Sequence, residues 1–273
     1  RRFVYLPGMK TLPTVQLLLL LLMLAVTGWS CGAGATDEAA PCLLESVHYD
    51  ERNSLRFLTI SGGRVYQLTQ EYIDFEGETD IVHAYSFVYY QDSIAVKDVD
   101  FPTAKYPYIS VRSEEDQIQK IVRYSPTAGV QLFHHFDHSD ENILRIDMSR
   151  IASTGHYLYF GYALYHFNEE GNVVRGERYR IDFENPEDDS LYKIEDRYYT
   201  YDTRPNPYQG LLIPFFSTID FPDPRYFSEN NVMREEQGSE YAGYQYEYGA
   251  QGNVRIQYLP DGNQTRFDYL NCE

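Results

Sequence analysis

The sequence predicts an all-β fold, a long twisted antiparallel meander curling toward a barrel, with about 14–16 strands of ordinary length. Three observations carry that prediction. From residue 42 onward apolar and polar residues alternate with a period of two rather than 3.6. Turn sequences built on Gly or Asn separate the alternating runs. Aromatic residues make up 16% of the chain, including 27 Tyr, and Tyr suits a half-exposed strand because its ring covers a neighbour while its hydroxyl reaches water.

The clearest run lies near the end of the chain. Tyr244-Gln245-Tyr246-Glu247-Tyr248 puts three rings on one face. Gly249-Ala250-Gln251-Gly252 then reverses the chain, with Gly252 able to take positive φ. Asn253 to Tyr258 alternates again, Pro260-Asp261-Gly262-Asn263 is a second tight turn, and Thr265 to Tyr269 is the last strand. The unit recurs. Tyr246-x-Tyr248-x-x-x-Gly252-Asn253-Val254 superposes on Tyr165-x-Phe167-x-x-x-Gly171-Asn172-Val173 without a gap. Val47-x-Tyr49-Asp50-x-x-Asn53-Ser54-Leu55 matches with Asn53 in the glycine position, and a looser copy runs from Val122 and Tyr124 to Gly129-Val130. Spacing between copies is irregular, so the repeat is degenerate. Left-handed corners are therefore expected at Asn53, Gly171 and Gly252.

This Tyr-x-Tyr-Asp-x-x-Gly-x-Val/Leu unit resembles the YD (RHS-like) repeat. The wider layout also resembles uncharacterised Bacteroidota lipoproteins with a YD-repeat-like β domain: a leader ending in Cys, Cys42-Leu43-Leu44, Tyr-rich repeats, Pro205-Asn206-Pro207-Tyr208 and a closing Cys272. The resemblance spans most of residues 42–273 and is strongest at 165–174 and 199–273. It implies an envelope-anchored β protein and supplies no catalytic residues. Residues 70–160 have few turn glycines, so strand register there is not set by the sequence.

One segment breaks the alternation. Thr203 to Gly238 holds five of the 13 prolines and the apolar cluster Leu211-Leu212-Ile213-Pro214-Phe215-Phe216. Prolines cannot sit in central strands, so an insertion is expected here. Two compatible roles fit it. It is a plug closing the apolar face of the sheet, or a ligand loop presenting Tyr208, Phe215 and Phe216.

The N-terminus reads as an address. Met9-Lys10, a short polar stretch, and the ten-residue apolar run Leu17–Val26 make residues 1–30 a presequence with a signal peptide, too short to span a bilayer. Ser30-Cys31-Gly32 resembles the end of a bacterial lipobox, with Gly28 and Trp29 departing from its preferred residues. The favoured expectation is lipidation at Cys31, a flexible tether over 31–41 and the β domain over 42–273. Cleavage at Ala33-Gly34-Ala35, giving a soluble exported protein, is the alternative. The lipid would be the membrane partner, placing the protein in the cell envelope at the outer membrane. Cys42 and Cys272 then occupy an oxidising compartment at the two ends of the domain, where a disulfide is expected.

Composition narrows the function. The hydrophobic and charged fractions, 43% and 23%, are those of a folded protein. A net charge of −18 and a pI near 4.7 exclude a nucleic-acid binder. Without residues 1–30 the net charge becomes −21. No catalytic motif, phosphate loop or metal-ligand spacing is present, so no cofactor and no metal are expected. His134 and His138 share a strand face while His135 points away, too few convergent imidazoles for zinc. Glu114-Glu115-Asp116 and Glu187-Asp188-Asp189 lack the alternate spacing of a calcium loop. Asp92-Ser93-Ile94 and Asp189-Ser190-Leu191 resemble short O-glycosylation sites. The sequence thus favours a non-enzymatic binding or structural module. A glycan-binding surface protein and a hydrolase with carboxylates from separate strands are the alternatives.

Overall fold

The computed structural model describes residues 42–272, apart from 60–63, 75, 102–103, 105–106, 115–116, 125–130, 152–153, 182–190, 210 and 212–220. The sequence features at Cys31, Ala35, Gly129, Glu187, Phe215 and Phe216 lie outside the described residues. The described chain is a run of antiparallel strands. The first nine are β1 (Leu43–His48), β2 (Asn53–Thr59), β3 (Val65–Ile73), β4 (Thr79–Tyr89), β5 (Ser93–Asp98), β6 (Ile109–Glu114), β7 (Gln117–Tyr124), β8 (Gln131–Asp140) and β9 (Ile143–Ile151). The rest are β10 (Tyr157–Phe167), β11 (Val173–Ile181), β12 (Leu191–Pro205), β13 (Asn230–Gln237), β14 (Glu240–Gly243), β15 (Gln245–Tyr248), β16 (Val254–Tyr258) and β17 (Gln264–Leu270).

Each strand pairs with the next, and β17 returns to pair with β1, Val47 opposite Phe267. β14 and β15 are one strand broken at Tyr244, the first half paired with β13 and the second with β16. Counted so, the 17 segments form a ring of 16 strands. An even count is what lets the last strand of an up-and-down meander meet the first antiparallel. Among the described residues every strand is paired, and β14, the first half of β12 (191–197), the first half of β4 (79–84) and the second half of β8 (136–140) are paired on one side alone. One end carries the start of β1 and the end of β17, and there Cys42 and Cys272 are joined, Cα atoms 5.2 Å apart across 230 residues. On the chain-entropy argument such a link stabilises by up to about 5 kcal/mol.

Alternation assigns the two faces. Val47, Val96, Ile109, Ile121, Ile146, Tyr165, Val173, Val254 and Phe267 are almost wholly buried and form one core inside the ring. The intervening positions face outward and mix charged residues such as Arg145, Asp147, Arg175 and Asp196 with apolar ones such as Val82, Val122 and Leu164.

Two of the three expected left-handed corners are present, Gly171 at φ +75° and Gly252 at φ +84°. Asn53 is a correction: it is not left-handed, and it begins β2. Asp50 makes that turn instead, its carboxylate accepting from the N–H groups of Arg52 and Asn53 and from Asn53 Nδ2, all at 2.7 Å. A side-chain acceptor two residues back organises a turn without positive φ.

The same device explains residues 70–160. Asp74 accepts from the N–H of Glu76 and Glu78, Asp98 from Asp100, Asp137 from Ser139 and Asp140 from Asn142. Asp side chains organise these turns, Gly77 and Gly155 adding positive φ, and the pairing runs through β3–β9 with register shifts in β3–β4, β6–β7 and β8–β9.

The insertion is shorter than the expected 203–238. Thr203–Pro205 extend β12, Pro205 opposite Asn230 at the ladder's last pair, and Asn230–Gln237 are β13. Asn206 follows β12 at the disulfide end. Of the described residues between β12 and β13, Tyr208, Pro222 and Phe227 touch β8, β10, β16 and β17 from within, which places these residues inside the ring.

Candidate functional site

The described residues of the plug are held by polar contacts. Asn206 Nδ2 donates to the carbonyls of Arg225 and Ser228, and Asn206 Oδ1 accepts from Tyr208 N–H. Tyr208 is buried, its hydroxyl donating to Gln257 Oε1 at 3.1 Å and its ring meeting Phe267 edge-on at 5.4 Å. Tyr208 is therefore a packing element of the plug. Pro224–Tyr226 form one 3-10 turn capped by Asp223, and Tyr165 donates its hydroxyl to the Pro222 carbonyl at 2.5 Å. Phe227 packs on Tyr165 and Phe136.

Inside this apolar setting Asp223 and Arg225 form a bidentate pair, Nε–Oδ1 3.0 Å and Nη2–Oδ2 2.9 Å. Burial alone would raise the Asp223 carboxyl, but the Arg225 charge and hydrogen bonds win and hold it below its ordinary range. Arg225 also lies over the rings of Tyr208 and Tyr244. Burial raises the hydroxyls of Tyr165, Tyr199, Tyr208 and Tyr246 well above 10, so they stay neutral donors.

The outer wall of β9–β12 is a different environment. Arg145 lies 4.0 Å over Tyr162, Tyr162 stacks on Tyr179 at 4.6 Å, and Lys193 lies over Tyr179. Charged groups run beside them. Glu177, 7% exposed, receives His166 Nε2 at 2.8 Å, Arg175 at 3.0 Å, the Tyr179 hydroxyl and Lys193. Arg175 also makes two 2.8 Å bonds to Asp196, which bring the Asp196 carboxyl down to about 2 despite some burial. Asp147 accepts from Arg145 and from the Tyr159 hydroxyl. Each of these rings has a face occupied by a neighbouring cation or ring, as do Tyr198 under Arg175 and Tyr241 under Arg234. The tyrosine ladder is cross-strand structure, not a bare aromatic platform.

A cleft of about 460 Å³ opens at the far end, where the β1–β2 and β16–β17 turns stand side by side because β1 pairs with β17. His48, Tyr49, Asp50, Ile73, Asn263 and Arg266 line it. Behind His48 the structure groups Ser46 and Asp268, a trio that the sequence reading missed although Ser46 and His48 alternate on one strand face. Ser46 Oγ and Asp268 Oδ2 both meet His48 Nε2, each at 2.9 Å. A Ser–His–carboxylate relay needs the two oxygens on opposite ring nitrogens, so this trio is a structural hydrogen-bond knot. Among the described residues, each carboxylate whose pKa departs from the ordinary range departs downward: Asp50, Asp137, Asp147, Glu177, Asp196 and Asp223. Such groups are poor proton donors at neutral pH.

On β8, His134 and Phe136 are buried while His135 and Asp137 face outward. Lys120 and burial depress the His135 imidazole, burial being the larger cause. The described residues include no set of three His, Cys, Asp or Glu side chains placed to hold a metal.

No family model matches the sequence, and no curated protein matches it. Solved structures do resemble it in fold. A porin-like protein from Bacteroides uniformis superposes with a TM-score of 0.53 at 10% identity, over 83% of this chain and 98% of that one. A porin-like protein from Bacteroides vulgatus gives 0.50 at 11% identity, over 84% and 99%. At such identities the similarity concerns architecture.

Proposed function

We propose that this is an exported cell-envelope protein, anchored by a lipid on Cys31, whose β domain is a plugged, water-facing barrel acting as a binding or structural module. The observation that carries this reading is the polarity of the wall. Its core-facing positions hold an apolar cluster that includes Val47, Val96, Ile109, Ile146 and Phe267, with one charged group, Arg178, Glu195, Arg197 and Glu235, on β11–β13, and its outward positions hold Arg145, Asp147, Arg175, Glu177 and Asp196 in mid-strand. A membrane-spanning barrel has the reverse arrangement, and a lipid-facing Arg or Lys near the midplane costs about 2–4 kcal/mol. Strands β1, β5 and β6, with six residues each, also fall short of the about 9–11 residues that cross a bilayer. The two neighbours are described as porin-like; for this chain the buried Tyr208 and Phe221 and the partly buried Phe227 of the plug argue for a closed relative of that architecture. Depressed carboxylates and the knot at His48 favour a non-enzymatic role. The YD-repeat resemblance rests on the matched hairpins ending at Gly171 and Gly252.

Metabolic labelling with palmitate tests the anchor: label is expected in the intact chain and absent from Cys31→Ser, and equal labelling of both would refute it. Planar-bilayer recording tests the closed barrel, for which no conductance is expected; stepwise channels would refute it. A small polar ligand, such as a sugar, is a second reading, favoured by the donors, acceptors and Tyr49 ring of the far-end cleft.

A further inference from the structure

The break between β14 and β15 leaves an unpaired strand edge. Tyr244 N–H donates to the Met233 carbonyl at 2.9 Å, so the even-numbered residues of this strand turn their backbone groups toward β13. The odd-numbered ones turn away. In β15 that other side is filled, since Gln245 faces Tyr258 and Glu247 faces Ile256 on β16. Continuing the register puts Pro260 opposite Gly243 and Gly262 opposite Tyr241. Pro260 has no N–H to give, and the chain there turns back on itself through Gly262 N–H to Leu259 O and Leu259 N–H to Asn263 O. No strand pairing reaches the outer edge of β14 among the described residues. The backbone groups of Tyr241 and Gly243 therefore face a slot. The sheet faces beside it are clear: a Cβ built on Gly243 or Gly262 meets nothing within 4 Å, and Tyr241 is 70% exposed.

We propose that this edge, Glu240–Gly243, is a strand-addition site for an extended, positively charged segment of another protein. An unpaired edge is a template for a guest strand, the main chain supplying affinity and the flanking side chains selecting the guest. Here Glu240 and Asp261 flank the slot, both exposed, while Arg234, the nearest cation in register, is held by Glu236 at 2.7 Å and lies against the Tyr241 ring. The whole chain carries a net charge of −18, which attracts a basic guest and opposes a second copy of itself. Gly243 gives close backbone approach and Tyr241 covers the incoming strand.

The proposal stands on the geometry of residues 233–262 and on the charge of the chain, and does not depend on the lipid anchor or on conductance. The test is hydrogen exchange resolved to single amides on the full chain, with and without the blocked peptide acetyl-Lys-Val-Thr-Val-Lys-amide, and its acidic counterpart with Glu at both ends. In the free protein the amides of Tyr241 and Gly243 should exchange fast and that of Ala242 slowly. The basic peptide should slow Tyr241 and Gly243 by at least about tenfold and the acidic peptide should not. Gly243→Pro removes the outward N–H without touching the β13 ladder, so it should keep the wild-type melting temperature and lose peptide protection. Slow exchange at both amides in the free monomer would overturn the open edge. Equal response to both peptides, no response to the basic one, or protection by dimerisation of the chain would overturn the basic guest.

Discussion

Two stretches of the same wall contrast sharply. Across β9–β12 every strand has two partners, and cations, rings and carboxylates interlock from Arg145 to Asp196. Across β14–β16 one strand changes partners halfway, and half of its edge is unpaired. The β-propensity of the two stretches is similar, both being rich in Tyr. What separates them is where the neighbouring strand turns: β16 ends at Tyr258, and Pro260, which has no N–H, and the turn through Gly262 stand where the ladder would continue. Pairing in a meander is set by where the N–H groups are available, and side-chain ladders follow from it.

The contrast can be broken or sharpened by substitution. The largest effect is expected at Gly161 in the closed stretch, where φ is +140° and a Cβ would lie 1.9 Å from the Tyr179 carbonyl oxygen. Gly161→Ala should cost about 4 kcal/mol or more, or prevent folding, as read by urea denaturation. Next comes Ala242→Pro, which deletes an N–H aimed at β13 and should cost about 3 kcal/mol in the same assay. Glu177→Ala leaves His166, Arg175 and Lys193 without their shared carboxylate; about 2 kcal/mol is expected, because the three partners are partly solvated.

Acid should act on the closed stretch in the same sense. The Asp196 carboxyl is depressed from 3.8 to about 2, chiefly by hydrogen bonds from Arg175, so its contribution is full above its unfolded value. That contribution is lost as pH falls through the folded value, between about pH 4 and about pH 2. Urea midpoints should fall across this window, and less so in Asp196→Asn. The smallest effect belongs to the open edge. Gly243→Pro should change stability by less than about 0.5 kcal/mol, and a large loss there would mean that its N–H is already used.

Much of this architecture is legible in the residues. The period of two, the Tyr-rich strands and the glycines at 171 and 252 lead to the meander, because each is a local property of the chain. The turn at Asp50–Asn53 is less transparent, since an Asp that accepts two backbone N–H groups relaxes the demand for a left-handed residue. The register of 70–160 was hidden for the same reason. Closure into a ring depends on a pairing between residues more than 200 apart, Val47 with Phe267, which no local pattern encodes. The Ser46–His48–Asp268 knot and the far-end cleft exist only because of that pairing. Pro260 was visible as a turn residue; its effect on the neighbouring strand in the ring was not.

The polarity of the wall is the claim on which the functional reading turns, and it is tested most directly by purifying residues 36–273 without detergent and following size by sedimentation and secondary structure by circular dichroism. A soluble, compact, β-rich species in plain buffer is the predicted result. A chain that stays folded and monomeric only in detergent micelles or bilayers would contradict it.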